Sequence, residues 1–150
     1  MRISVQTEDF DAGAELAQMR LVHPEAGALV SFVGQVRDLN DGAMVAGMHL
    51  EHYPGMTEKA LSDISSQAMQ RWELADALVI HRYGDLKPLD QIVLVVVASA
   101  HRQAAFAACE FIMDYLKTEA PFWKKESTPE GERWVDAKEF DEAAKNRWNR

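Results

Sequence analysis

The sequence predicts an α+β fold in which helices pack on a mostly antiparallel sheet. Two observations carry this. Strand-like stretches come in tandem pairs split by turn residues, and amphipathic helical stretches fall between the pairs. Strict strand–helix alternation would point instead to a doubly wound parallel sheet. With 150 residues and no repeat, low-complexity tract or Ser/Gly linker, the chain reads as one domain over 1–150, ending in a polar tail over 138–150.

Each element has its own justification. A short helix is expected within 7–20. Residues 28–36 and 44–53 read as two strands joined across "RDLNDGA", whose Asn-Asp-Gly is turn chemistry. Pro54-Gly55 makes a turn, and Thr57 is placed to cap a helix running to about Trp72. Leu61, Ile64, Ala68 and Trp72 recur at spacings of three and four, a stripe that faces a core. Residues 77–83 and 91–98 form the next strand pair around "GDLKPLD". The second of these is apolar on both faces, which predicts the centre of a sheet. A helix follows over 100–118, with Ala105, Cys109, Ile112 and Leu116 on one stripe, and Pro121 closes it by disfavouring helix at Ala120. Residues 122–127 and 133–137 form a last hairpin around "TPEG".

Composition narrows the function classes. The chain carries 24 acidic and 16 basic side chains, a net charge of −8, which argues against a broad nucleic-acid footprint. Hydrophobic residues at 47% and charged residues at 27% are ordinary for a soluble protein. The longest apolar run, 92–98, is too short to cross a bilayer, so no membrane partner is expected. Arg2 is followed by an alternating Ile3-Ser4-Val5-Gln6 rather than by a leader. With a single cysteine, this favours a cytoplasmic address.

Against that acidic background, three lysines crowd one segment, "DYLKTEAPFWKKE". Lys117 lies in a helix's last turn, where it suits the helix dipole. A lysine among aromatics and other cations can also have a lowered pKa and serve as base or nucleophile. Lys124 and Lys125 are adjacent on a strand and point to opposite faces, so at most one joins Lys117. Phe122 shares the face of Lys124, and Trp123 that of Lys125. His101-Arg102 opens a helix, which is either a pair of solvated residues or an anion site built on free N–H groups and an arginine fork. Arg37 ends a strand, and its worth depends on what the fold brings near it.

The remaining candidates read as structural. Cys109 lies on the buried stripe, where a thiol is inert. His49 and His52 point to opposite strand faces, and His23 and His81 have no partner at ligand spacing, so no metal site is expected. The fifteen residues from Arg102 to Lys117 span roughly 23 Å of helix, so one small ligand cannot touch both ends. Either the two ends serve separate sites, or a symmetric homodimer unites them, Lys117 of one chain meeting His101 and Arg102 of another. The dimer is favoured because it gathers these cations in one pocket.

Four segments, "LEHYPGMTEKAL", "SAHR", "FIMDYLKTEAPFWKKE" and "TPEGERWVDA", resemble the molybdopterin synthase catalytic (large) subunit family, over about 27–137. The resemblance implies an α/β-hammerhead fold and a homodimer with a small ubiquitin-like subunit at each end, a heterotetramer. It implies sulfur transfer from that subunit's C-terminal Gly-Gly thiocarboxylate to cyclic pyranopterin monophosphate, forming the dithiolene of molybdopterin. It places Lys117 and Lys124 at the catalytic lysines and Arg37, His101 and Arg102 at substrate-anion positions. Gln35, Val36, Lys125, Glu126 and Lys138 join the substrate-binding set, and no metal or resident cofactor is implied. Gln35 stands where bacterial members commonly have lysine, and Lys138 where they often have arginine, which cannot be matched in bidentate contacts. The competing reading is a non-catalytic module that captures an acidic C-terminal tail in a basic pocket. A phosphosugar- or nucleotide-binding enzyme is weaker, since no Gly-rich phosphate loop is present.

Overall fold

A computed structural model describes residues 1–40, 42–135 and 139–149. The fold is α+β and is organised around one strand. Strand β8 (Gln91–Ser99) lies inside a four-stranded sheet of order β1-β6-β8-β2, with β1 (Arg2–Gln6), β6 (Asp76–Arg82) and β2 (Ala28–Gln35). Only β1 runs parallel to its neighbour in this sheet. Val93, Val95 and Val97 of β8 face helices α2 (Met56–Arg71) and α3 (Arg102–Glu119). Leu94, Val96 and Ala98 face the other side, where Met19 and Leu16 of α1 (Ala12–Val22) close over them. Burying one such side chain contributes about 1.5–3 kcal/mol, so a strand covered on both faces becomes the sheet's centre.

The helical stripes pack as expected. Leu61, Ile64 and Ala68 of α2 meet Ala105, Cys109, Ile112 and Leu116 of α3 in one core. Trp72 stands at the C-cap of α2, edge-on to Phe111, with ring centroids 5.2 Å apart. Helix α3 ends at Ala120, whose extended backbone (φ −77°, ψ 132°) obeys the following proline. At its other end, Gly27 is required by close approach, because a Cβ there would stand 2.3 Å from the Ala100 carbonyl oxygen.

A second sheet has the order β10-β9-β5-β7, built from β10 (Gly131–Val135), β9 (Phe122–Thr128), β5 (Gly47–His52) and β7 (Gly84–Leu86). The chain passes from β6 of the first sheet into β7 of the second through Tyr83 and Gly84. Gly84 sits at φ +91°, a conformation that costs a side-chain-bearing residue energy. The final hairpin forms as expected, with Trp134 opposite Lys125 and Arg133 opposite Glu126.

Three local expectations are corrected. The strands β2 and β5 do not pair with each other: β2 follows β8 throughout, and β5 lies between β7 and β9. Burial against β8 outweighs the turn chemistry between them, and the residues flanking it pair only as a small ribbon of β3 (Leu39–Asn40) and β4 (Ala43–Met44). The first helix starts within the expected stretch, at Ala12, where the Asp11 side chain accepts from the Ala14 N–H at 3.0 Å and sets its N-cap, but it runs on to Val22, past the expected limit at Arg20. Thr57 does not cap α2, whose N-cap is Gly55. Its hydroxyl is turned back to the Tyr53 carbonyl at 2.9 Å, and Glu58 accepts from the Gly55 N–H at 2.6 Å instead. The tail contributes α4 (Glu139–Asn146) and a short turn, in which Trp148 packs edge-on to Phe111 at 5.6 Å.

Candidate active site

The two sheets and the C-terminal end of α3 enclose a cavity of about 530 Å³. Gln35, Val36 and Arg37 reach it from the end of β2, Lys117 from the last turn of α3, and Phe122, Lys124 and Glu126 from alternate positions of β9. Its apolar wall includes Met48, Leu50 and Leu116, so charges meet the ligand space from a low-dielectric surround. The alternation of β9 explains the selection. Phe122, Lys124 and Glu126 face inward, while Trp123 and Lys125 stand on the other face, where the Lys125 ammonium lies 5.0 Å from the Trp134 ring centre and 3.2 Å from Glu132.

Glu126 is the buried acid of the site. Its Oε1 accepts from Asn40 Nδ2 at 2.6 Å, its Oε2 accepts from Arg133 at 3.2 Å, and the Lys124 ammonium lies 3.7 Å away. Arg37 donates to Asn40 Oδ1 at 2.7 Å. The segment after β2 is thereby tied to β9 through a side-chain amide. A carboxylate this buried is tolerated only because cations and a donor surround it.

His81, read from the sequence as a partnerless structural residue, lines the same cavity. Its ring stacks on Phe122 with centroids 3.7 Å apart, and its Nδ1 is 2.8 Å from the Arg82 carbonyl oxygen, which makes that nitrogen the protonated one. Burial pushes His81 down to about 3, with Lys117 and His52 adding in the same direction. The imidazole is therefore neutral, with Nε2 as its lone pair. Asn40 and Asp141, a further cavity residue from α4, were not singled out from the sequence, and His81 was read there only as structural. Each was hidden because its value comes from partners more than twenty residues away or, for Asp141, from where the tail docks.

The other expected residues lie elsewhere. His101 is the N-cap of α3 and Arg102 its first residue; both are exposed and neither lines the cavity. Lys138 falls outside the described residues. Cys109 is buried, and burial raises its thiol to about 11, which removes it as a nucleophile at neutral pH. Among the described residues, no group of three or more His, Cys, Asp or Glu side chains could hold a metal ion. No helix of the described residues is long and apolar enough to cross a membrane.

The model of the MoaE protein family matches residues 5–119, from the end of β1 through the whole of α3. The chain belongs to the MoaE family. Among its relatives, the molybdopterin synthase catalytic subunit of Ralstonia nicotianae is 67% identical over 146 residues, covering 97% of this chain and 83% of that one. The solved MoaE protein of Burkholderia ambifaria superposes with a TM-score of 0.85 at 59% identity, covering 99% of this chain and 98% of that one. The crystal structure of molybdopterin synthase from Staphylococcus aureus superposes with a TM-score of 0.80 at 30% identity, covering 89% and 96%.

Proposed function

We propose that this MoaE-family chain is the catalytic subunit of a molybdopterin synthase, a cytoplasmic sulfurtransferase. It takes sulfur from the C-terminal thiocarboxylate of a small ubiquitin-like subunit and delivers it to cyclic pyranopterin monophosphate, twice, to build the dithiolene. The observation that carries this is the cavity itself, where Arg37, Lys117 and Lys124 converge in an otherwise acidic chain. Both reactants are anions, a phosphate on the pterin and a thiocarboxylate on the tail, and a cavity of about 530 Å³ is in the range of small-ligand sites. Lys117 stabilises the oxyanion or moves protons as sulfur leaves its acyl carrier, and Lys124 assists electrostatically. Sulfur arrives on another protein, so the chemistry asks for neither Cys109 nor a resident metal.

The site is completed by a second copy. Phe106 is 63% exposed and shares a stripe with Arg102, and Phe32 on the edge strand β2 is 39% exposed. Val30 packs into the core on the helix side, and the period of two puts Phe32 on that side as well. An isologous, antiparallel contact along β2 sets the Ala28 end of one copy beside the Gln35 end of the other. Helix α3 starts near Ala28, since β8 delivers the chain there through the Ser99–Ala28 pair. His101 and Arg102 of one copy then approach Arg37 and Lys117 of the other and hold the substrate phosphate.

The test is reconstitution. The purified chain, given the thiocarboxylated small subunit and cyclic pyranopterin monophosphate, is expected to yield molybdopterin in amounts limited by the thiocarboxylate supplied. Tight capture of the tail with no dithiolene formed would leave only a peptide-binding module.

A further inference from the structure

Asn40 stands between a cation that the substrate needs and an anion that would cancel it. Its Oδ1 accepts from Arg37 at 2.7 Å, and its Nδ2 donates to Glu126 at 2.6 Å. Arg133 donates both to the Asn40 carbonyl oxygen at 3.0 Å and to Glu126 at 3.2 Å, so backbone and side chain of Asn40 are held together. Asn40 is 4% exposed and Glu126 3%, and the junction is buried on both sides. Two features are unusual for a bond whose only task is to satisfy a buried acid. Arg133 and Lys124 already face Glu126, and the partner chosen for Arg37 is a neutral oxygen although a carboxylate lies one side chain further on.

We propose that Asn40 is a positioning residue for sulfur transfer, which orients the Arg37 guanidinium while insulating it from the Glu126 carboxylate. An amide does both at once: its oxygen fixes the fork without neutralising it, and its NH₂ occupies the Glu126 oxygen that would otherwise receive Arg37. Arg37 keeps a full charge for the phosphate. A direct Arg37–Glu126 ion pair would be bidentate and strong, and it would turn the fork away from the ligand. Serine is too short to span both partners, and aspartate in the same shape would pair with Arg37 and repel Glu126. This inference rests on the proposed role of Arg37 as a phosphate contact.

The experiment is steady-state kinetics of the reconstituted synthase with Asn40→Asp, Arg37→Ala and the double variant. Asn40→Asp is expected to raise KM for the pterin monophosphate about tenfold with kcat within about threefold, because one charge-assisted contact is lost. In the Arg37→Ala background the same substitution is expected to change KM by less than about twofold, since its target is gone. Inorganic phosphate as competitive inhibitor should weaken in parallel. A purely structural Asn40 would lower kcat and thermal stability equally in both backgrounds, which overturns the inference. If Asn40→Asp fails to fold, Asn40→Asp with Glu126→Gln removes the repulsion but leaves Arg37 neutralised, and a KM unchanged from that of Glu126→Gln alone would also overturn it. If Arg37→Ala leaves KM unaltered, the phosphate role of Arg37 falls and this inference with it. If Arg37→Ala raises KM and Asn40→Asp does not, the inference alone is lost.

Discussion

The two ends of α3 carry cations of opposite circumstance. At the C-terminal end, Lys117 opens onto a cavity shared with Lys124, Glu126 and a neutral His81. At the N-terminal end, His101 and Arg102 stand in solvent beside an exposed Phe106, and the helix dipole disfavours the guanidinium there. One end lies among other charged side chains in a cavity, and the other stands in solvent. Strand β9 repeats the contrast across its two faces, with Lys124 inside the cavity and Lys125 against Trp134 outside. Residue type says little in either case; what surrounds the ammonium or guanidinium decides its use.

The sharpest way to break the first contrast is to remove each end in turn. Lys117→Ala should lower turnover by about 10²–10³ with an unchanged melting temperature, since the side chain is exposed to the cavity rather than packed. Arg102→Ala should also impair turnover. Random mixing of the two impaired variants should give at least roughly a quarter of wild-type activity, because half of the dimers are hybrids and one of their two sites is intact. Recovery no greater than the sum of the parents would place each site within one chain.

The second contrast predicts a smaller difference. Lys124→Ala should reduce turnover at least about tenfold. Lys125→Ala should change it by less than about threefold and cost about 0.5–1 kcal/mol of stability through the lost ring contact. Equal kinetic effects from the two lysines would remove the distinction between the faces of β9.

A third effect, with no contribution to turnover, concerns His81 and is read as stability against pH. Its folded value of about 3 lies below the ordinary histidine range, so the unfolded chain binds a proton that the native one refuses. The contribution of His81 is therefore complete above the unfolded value near 6.5 and is lost as pH falls from there towards 3. Chemical denaturation should show wild type losing about 2 kcal/mol more than His81→Gln between pH 7 and pH 5. Parallel curves would mean that His81 is not held neutral.

Much of this molecule is legible from local pattern. The double-sided apolar run of β8, the stripes of α2 and α3, the stop at Pro121 and the inertness of Cys109 all follow from spacing and burial. The failures share one cause. The residues flanking Asn-Asp-Gly do pair, yet only as the short β3 and β4, because β2 gains more by lying along β8. Thr57 could cap a helix, yet the loop before it offers its hydroxyl the Tyr53 carbonyl.

By itself, then, the sequence determined the layer structure, the central strand, the opposed faces of Lys124 and Lys125, and the impossibility of one chain's α3 bringing both its ends to one ligand. These depend on the helix and strand periods and on the rise per residue, which are the same in any fold. Only the tertiary structure decided that Arg37 meets Glu126 through Asn40, that His81 is buried against Phe122, and that the lysines of the helix end and the strand share a wall. Asn40 and Glu126 are 86 residues apart, and no periodic pattern reaches across such a gap. Packing brings them together, and the low dielectric around them makes each charge depend on its neighbours.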